Sequence, residues 1–171
     1  SETPPGRFLR DPFVMKSNYI SYATHASWQW EVRSAVERSR PYAAHYLNGL
    51  VHVTGEADAE IAFVTCGTAS HQAKEAHREL MKLGIKTKVI KLRTIRPFPK
   101  KELLEALDGI KNIFVPEFNV VGWLEKEVKT ALHNNHSADV VGGPRVAGGM
   151  SMPAEAIIQE VMEKINPVKG A

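Results

Sequence analysis

From Glu60 onward the chain alternates between two hydrophobic patterns. Short apolar runs, "IAFVTC", "IKTKVIKL", "NIFVPE" and "ADVV", are bounded by glycine, proline or polar residues and read as buried strands. Between them lie longer stretches with apolar residues three and four apart, which read as helices. "TASHQAKEAHRELMKL" brings Ala69, Ala73, Ala76, Leu80 and Leu83 to one face, with Thr68 placed to cap it and Gly84 to end it. "KKELLEAL" uses Leu103, Leu104 and Leu107, and "VVGWLEKEVKTALH" puts Val121, Leu124, Val128 and Ala131 in register. "SMPAEAIIQEVMEKI" turns Ile157, Ile158, Val161 and Ile165 inward, with Ser151 near its start and Pro153 in its first turn. A further short strand, Leu50 to Thr54, sits between Gly49 and Gly55. Strands alternating with helices of this length predict βαβ units and a mostly parallel sheet covered on both faces.

The chain before this region has a different character. "SNYISYATHASWQWEVRSAVERSR" is rich in aromatic residues and turns helical near Ser27, with Trp28, Val32, Ala35 and Ser39 on one face. The opening "SETPPGRFLRDP" is polar and proline-rich and reads as a linker or the cut end of something longer. The predicted organisation is therefore a linker and helix over residues 1–48 and an α/β domain over residues 49–171. Hydrophobic content of 43% and charged content of 24% suit a globular domain. The apolar runs fall far short of the roughly 18 residues of a membrane span, and no charged-then-apolar leader opens the chain, so a cytoplasmic home is expected. Cys66 is the only cysteine, which leaves no internal disulfide and no thiolate set for an iron–sulfur cluster. Net charge is only +3, but Leu80 to Lys101 holds eight Lys or Arg and no Asp or Glu. Such a stretch permits nucleic-acid or anion binding without demanding it.

Open α/β sheets receive ligands at the carboxyl ends of their strands. The turns to test are Cys66-Gly67-Thr68, Arg93 to Phe98, Glu117 to Asn119 and Gly142 to Gly149. None carries a dinucleotide fingerprint or a P-loop. Thr68 opens a helix that could hold an anion weakly. Cys66, at a strand end, reads as a core residue rather than a nucleophile. His71 and His77 lie six apart on one helix, on different faces. His133 and His136 close another helix and complement its dipole. His25 stands among aromatics and is the one histidine that could sit in a pocket, although packing is the favoured reading. Glu117 is the best lone carboxylate, and an ion pair with Arg93 or Arg96 would account for it without catalysis. No complete active site emerges. In "LRTIRPFPKK", Pro97 and Pro99 stiffen a strand-to-helix corner that frees Phe98 to fill a hydrophobic gap and holds Arg93 and Arg96 at the sheet's edge. A structural and interface role is favoured for it over a catalytic one. Thr68, Arg93, Arg96, Phe98, Glu117 and Asn119 are the interface or anion-contact candidates.

Several features taken in order resemble the second domain of the 2-oxoacid:ferredoxin oxidoreductases, the pyruvate:ferredoxin oxidoreductase family. They are the strand ending in a Gly-Thr turn, "GIK" opening the next strand, "RPFP" before a helix, a strand ending in an acidic residue, and Gly-Gly before the last helix. The likeness runs from about Glu60 to Ile165. It implies a three-layer α/β/α domain of the transketolase C-terminal type, with a five-stranded sheet in which Leu50 to Thr54 supplies one antiparallel strand. "RDPFV" and the aromatic segment look like the link from a preceding thiamine-binding domain. The resemblance further implies a domain that packs against its neighbours. The whole enzyme would use thiamine diphosphate, Mg2+, iron–sulfur clusters and coenzyme A, pass electrons to ferredoxin, and need other domains or subunits as partners. The family's diphosphate-and-metal motif and cluster cysteines have no counterpart here, so no catalytic, cofactor or metal residue is assigned. Two alternatives stand beside this reading. One is the C-terminal domain of a transketolase or 2-oxoacid dehydrogenase. The other is a stand-alone anion- or nucleic-acid-binding module, against which Lys86, Lys88 and Lys91 do not share one strand face.

Overall fold

The computed structural model describes residues 48–146 and 149–166, together with residues 35, 37–41 and 45. Contacts divide the chain into Ser1–Gly49 and Leu50–Ala171. The aromatic segment and most of the helix expected near Ser27 lie outside the described residues. In the second unit the elements run β1 (Val51–Gly55), β2 (Ile61–Cys66), α1 (Ala69–Lys82), β3 (Thr87–Leu92), α2 (Lys100–Ala106), β4 (Asn112–Phe114), α3 (Trp123–Leu132), β5 (Asp139–Gly142) and α4 (Ala154–Ile165).

The five strands form one sheet in the order β1-β3-β2-β4-β5. β2 pairs in parallel with β3 on one side and β4 on the other, and β4 with β5. β1 alone is antiparallel, against β3. Because the chain leaves β2 first for β3 and then returns to its other side for β4, the order reverses at β2. The carboxyl end of β2 is the place where such sheets open a crevice.

Strand alternation divides the core into two layers. Phe63, Val89 and Phe114 point to the side of α1 and α4, where Ala73, Ala76, Leu80, Ile157 and Val161 meet them. The Phe63 and Phe114 rings lie 6.1 Å apart, tilted by 51°, within the range of aromatic pairs that contribute about 0.5–1.5 kcal/mol beyond area burial. Ala62, Val64, Ile90, Leu92, Ile113 and Val115 point to the other side, against Leu103, Leu107, Leu124 and Val128 of α2 and α3. β2 and β3 are buried along nearly their whole length, which is why they read as continuous apolar runs rather than alternating ones.

Three positions assigned to helix faces differ. Leu83, Val121 and Ile165 are exposed. Leu83 falls one residue past α1. Ile165 is the last residue of α4, beyond the sheet's cover. Val121 precedes Gly122, whose φ of 65° breaks the chain into the left-handed region, so α3 begins two residues later than its apolar pattern suggests.

Candidate functional site

A cleft of about 290 Å³ opens at the carboxyl edge, at the reversal point of the sheet. Cys66, Gly67 and Thr68 form its floor after β2, Ile95 enters from the β3 side, Glu117, Phe118 and Asn119 follow β4, and Trp123 and Leu124 begin α3. Three of the sequence-selected residues, Thr68, Glu117 and Asn119, are thus brought together. Two are not: Phe98 is half-buried against the α2/α3 core layer, as expected for a gap-filling side chain, and Arg93 lies near His52 on the opposite layer's side.

Glu117 is buried at 4% exposure, and its partner differs from the one expected. Neither Arg93 nor Arg96 pairs with it. Its Oε2 accepts the Leu124 amide at 3.0 Å and its Oε1 the Glu125 amide at 3.3 Å. The carboxylate therefore caps α3 from seven residues upstream, a task the local N-cap, Gly122, has no side chain to perform. Glu117 is also tied through its backbone: its N–H donates to the Pro144 carbonyl, and its own carbonyl accepts the Val146 amide. Asn119 Oδ1 accepts the Val121 amide at 2.9 Å in the turn that leads to Gly122.

Thr68 stands at the N-cap of α1, but already with helical torsions, and its hydroxyl makes no cap bond. The serine two residues on, Ser70, instead donates to the Gly67 carbonyl at 2.6 Å. Cys66 is half-buried; burial, and then the negative charge of Glu117, push its thiol above the ordinary range. A raised thiol is a poor nucleophile at neutral pH.

Arg96 forms the rim. Its guanidinium donates to Glu127 Oε1 at 2.7 Å and to the Ile95 carbonyl at 2.8 Å, and lies 5.6 Å from the Trp123 ring centroid. Thr94 Oγ1 donates to the Arg96 carbonyl at 2.9 Å, and the Arg96–Pro97 peptide is cis. The "RTIRPFP" corner is thereby fixed to α3. Trp123 is the residue that sequence reasoning passed over; its off-stripe place beside Leu124, Val128 and Ala131 was the available signal. With Phe118, Val120 and Val121 it leaves a run of large apolar side chains in solvent, and such patches mark contact surfaces.

Behind the cleft lies a charged lock. Glu125, buried at 7% exposure, accepts bonds from Lys129 Nζ at 2.6 Å and from Arg145. Burial alone would raise its carboxyl; the two cations outweigh that and hold it below the ordinary range. A Cβ at Gly122 would stand 2.8 Å from the Arg145 guanidinium carbon, so glycine there makes room for the lock. A Cβ at Gly143 would meet the Val115–Pro116 backbone at 2.6 Å, and Gly142 stands at a φ of 99°; together these explain the Gly-Gly pair before the last helix.

This arrangement defines a class: a three-layer α/β/α domain with one antiparallel edge strand. The solved structures agree. A 2-oxoglutarate:ferredoxin oxidoreductase from Magnetococcus marinus with 2-oxoglutarate, coenzyme A and succinyl-CoA bound matches 84% of this chain and 24% of its own, at a TM-score of 0.64 and 21% identity. A split gene transketolase, as an inactive beta4 tetramer, matches 66% of this chain and 41% of its own, at 0.56 and 22%. Residues 59–157 match the family described as pyruvate:ferredoxin oxidoreductase core domain II, and the chain belongs to that family. Relatives include the ketoisovalerate oxidoreductase subunit VorA of Pyrococcus abyssi, 35% identical over 63% of this chain and 29% of that one. Another is the pyruvate synthase subunit PorA of Methanosarcina barkeri, 29% identical over 69% of this chain and 31% of that one. The chain thus spans about three tenths of the length of these relatives.

Proposed function

We propose that this chain is the second domain of the alpha subunit of a thiamine-diphosphate-dependent 2-oxoacid:ferredoxin oxidoreductase, and that its work is structural. The whole enzyme would decarboxylate a 2-oxoacid oxidatively to an acyl-CoA and pass the electrons to ferredoxin. Residues 1–48 would link the domain to the part of the subunit that precedes it, and residues 49–171 would form the domain itself, in the cytoplasm. The relatives and the M. marinus enzyme are named for three different 2-oxoacids, so membership leaves the acid open. Among the described residues no helix is long and apolar enough to cross a membrane.

The observation that carries the structural reading is Glu117. It is the carboxylate in the cleft, and both of its oxygens are spent on α3 amides. A diphosphate-bound magnesium needs oxygen ligands that are free to turn toward it. The cleft's donor set does not fit that group, and among the described residues no three His, Cys, Asp or Glu stand close enough to hold a metal. Thiamine diphosphate would supply the carbanion chemistry from elsewhere in the enzyme. In this reading Thr68, Glu117 and Asn119 shape the cleft and Arg96 its rim, while Phe118, Val120, Val121 and Trp123 meet the neighbouring domains. Phe98 anchors the corner from inside, and Arg93 contributes charge on the far layer.

Calorimetric titration of the 171-residue chain with thiamine diphosphate and Mg2+ tests this. No saturable heat is expected, and saturable binding in the micromolar range would contradict the assignment.

A further inference from the structure

At the amino edge of the sheet, opposite the cleft, one histidine is held by both of its ring nitrogens. His136 follows α3, and its backbone N–H donates to the Leu132 carbonyl at 3.0 Å. Its Nδ1 lies 3.0 Å from the Ala138 amide nitrogen, and its Nε2 lies 3.1 Å from the carbonyl oxygen of Leu107, the C-cap of α2. An amide N–H can only donate and a carbonyl can only accept. The two partners therefore fix the tautomer: Nδ1 is the bare acceptor and Nε2 carries the proton. The half-buried ring ties the ends of α2 and α3 to the start of β5, where the Asp139 N–H donates to the Lys111 carbonyl at 2.8 Å. β5 is an edge strand that pairs with β4 alone, so its start depends on this joint.

A second proton has no place in this joint. On Nδ1 it would set one N–H against the Ala138 N–H, two donors face to face where a bond had been. The charged groups of the surrounding elements are engaged elsewhere or stand in solvent. From α2, Glu105 meets Lys101 and Asp108 is exposed. Ahead of β4, Lys111 meets Glu60. From α3, Lys129 meets Glu125 and His133 is exposed. Asp139 of β5 meets Lys164 of α4. A hollow of about 410 Å³ lined by Lys129, His133 and Asp139 lies beside the ring, so water reaches it. This neutral ring is not the dipole-complementing cation that its place after α3 suggests in the sequence.

We propose that His136 is a proton-operated latch: neutral, it closes the corner between α2, α3 and β5, and protonated, it releases the Ala138 amide and the corner opens. The open corner takes up the proton where any free imidazole does, at about pH 6.5. The closed corner refuses it, because its Nδ1 is already occupied. The latch is therefore fully closed above that range, and the open population rises about tenfold for each pH unit below it.

Residue-resolved NMR on the 171-residue chain tests this. Long-range proton–nitrogen spectra at pH 7.5 should show the Nε2–H tautomer for His136. The amide protection factor of Ala138, corrected for the pH dependence of exchange itself, should fall about tenfold between pH 7.5 and 5.5. It should also lie at least about tenfold below that of Val64 in the central strand β2, because the corner opens without the rest of the fold. His136→Gln should abolish the pH response at Ala138, and His77→Gln should keep it. Should His136→Gln fail to fold, the tautomer and the His77→Gln comparison carry the test. An Nδ1–H ring overturns the proposal, as does a response that survives His136→Gln or vanishes in His77→Gln. Equal protection at Ala138 and Val64 overturns it too, because the corner would then open only when the whole domain unfolds. The readout needs no partner or cofactor, so its failure would leave the family-based function standing.

Discussion

Glu117→Gln separates a capping carboxylate from a working one. In the parent, both oxygens accept amide protons at the start of α3, from a residue 4% exposed. Glutamine keeps one acceptor and turns an NH2 group toward the other amide. The loss is one charge-assisted bond, about 1.5–3 kcal/mol, plus the favourable charge at a helix N-terminus, about 0.3–1 kcal/mol. The sum is about 2–4 kcal/mol. For a chain of this size each kcal/mol moves the melting point by about 2–4 °C, so a fall of roughly 4–16 °C is expected. Scanning calorimetry measures it, and amide exchange at Leu124 and Glu125 should quicken with it. An unchanged melting point together with lost turnover of the larger enzyme would mean that Glu117 acts on a substrate and not on α3.

Substitutions at neighbouring residues have equally definite expected outcomes. Thr65 Oγ1 is buried without a hydrogen-bond partner among the described residues, so Thr65→Val should stabilise by about 1 kcal/mol in a denaturant titration; a loss would mean the hydroxyl has an unseen role. Cys66→Ala should cost on the order of 1 kcal/mol, and the parent thiol should alkylate slowly at pH 8, since burial and Glu117 push it up; rapid alkylation would contradict this. His77 Nδ1 bonds the Thr87 hydroxyl at 2.7 Å, and burial, more than its charged neighbours, lowers its pKa from 6.5. The unfolded chain then binds that proton more readily, so His77's contribution is present above pH 6.5 and fades as the pH falls through the folded value. The melting point of His77→Gln should accordingly fall less than the parent's between pH 7.5 and 5.5, and an equal fall would exclude His77 as a source. Arg96→Ala removes an exposed pair with Glu127 and a Trp123 contact; the isolated chain should melt within a few degrees of the parent, while incorporation into a larger complex weakens.

The order of strands and helices was legible because both periodicities are strong from Glu60 onward. β2 and β3 are apolar on both faces, and the alanine stripe of α1 could only lie close on a sheet. The antiparallel β1 came from the family likeness, since five residues between two glycines say nothing of direction. Pairings across the fold were not legible. Arg96 finds Glu127, 31 residues away, and Glu117 caps a helix seven residues on; both depend on how the β4–α3 turn bends at Gly122. The Glu125–Arg145 lock left a faint trace in glycines placed where a side chain would strike the guanidinium or the backbone. Val121 was assigned inward because apolar spacing cannot tell a core from a surface that another domain covers.

We propose above that this domain serves within a 2-oxoacid:ferredoxin oxidoreductase. That proposal is tested most directly by tagging the chain in its native cell, purifying it under anoxic conditions and assaying the eluate. Co-elution with the enzyme's other subunits is expected, with ferredoxin reduction that requires both a 2-oxoacid and coenzyme A. Elution of a protein without partners or such activity, or with partners that do not reduce ferredoxin, would contradict it.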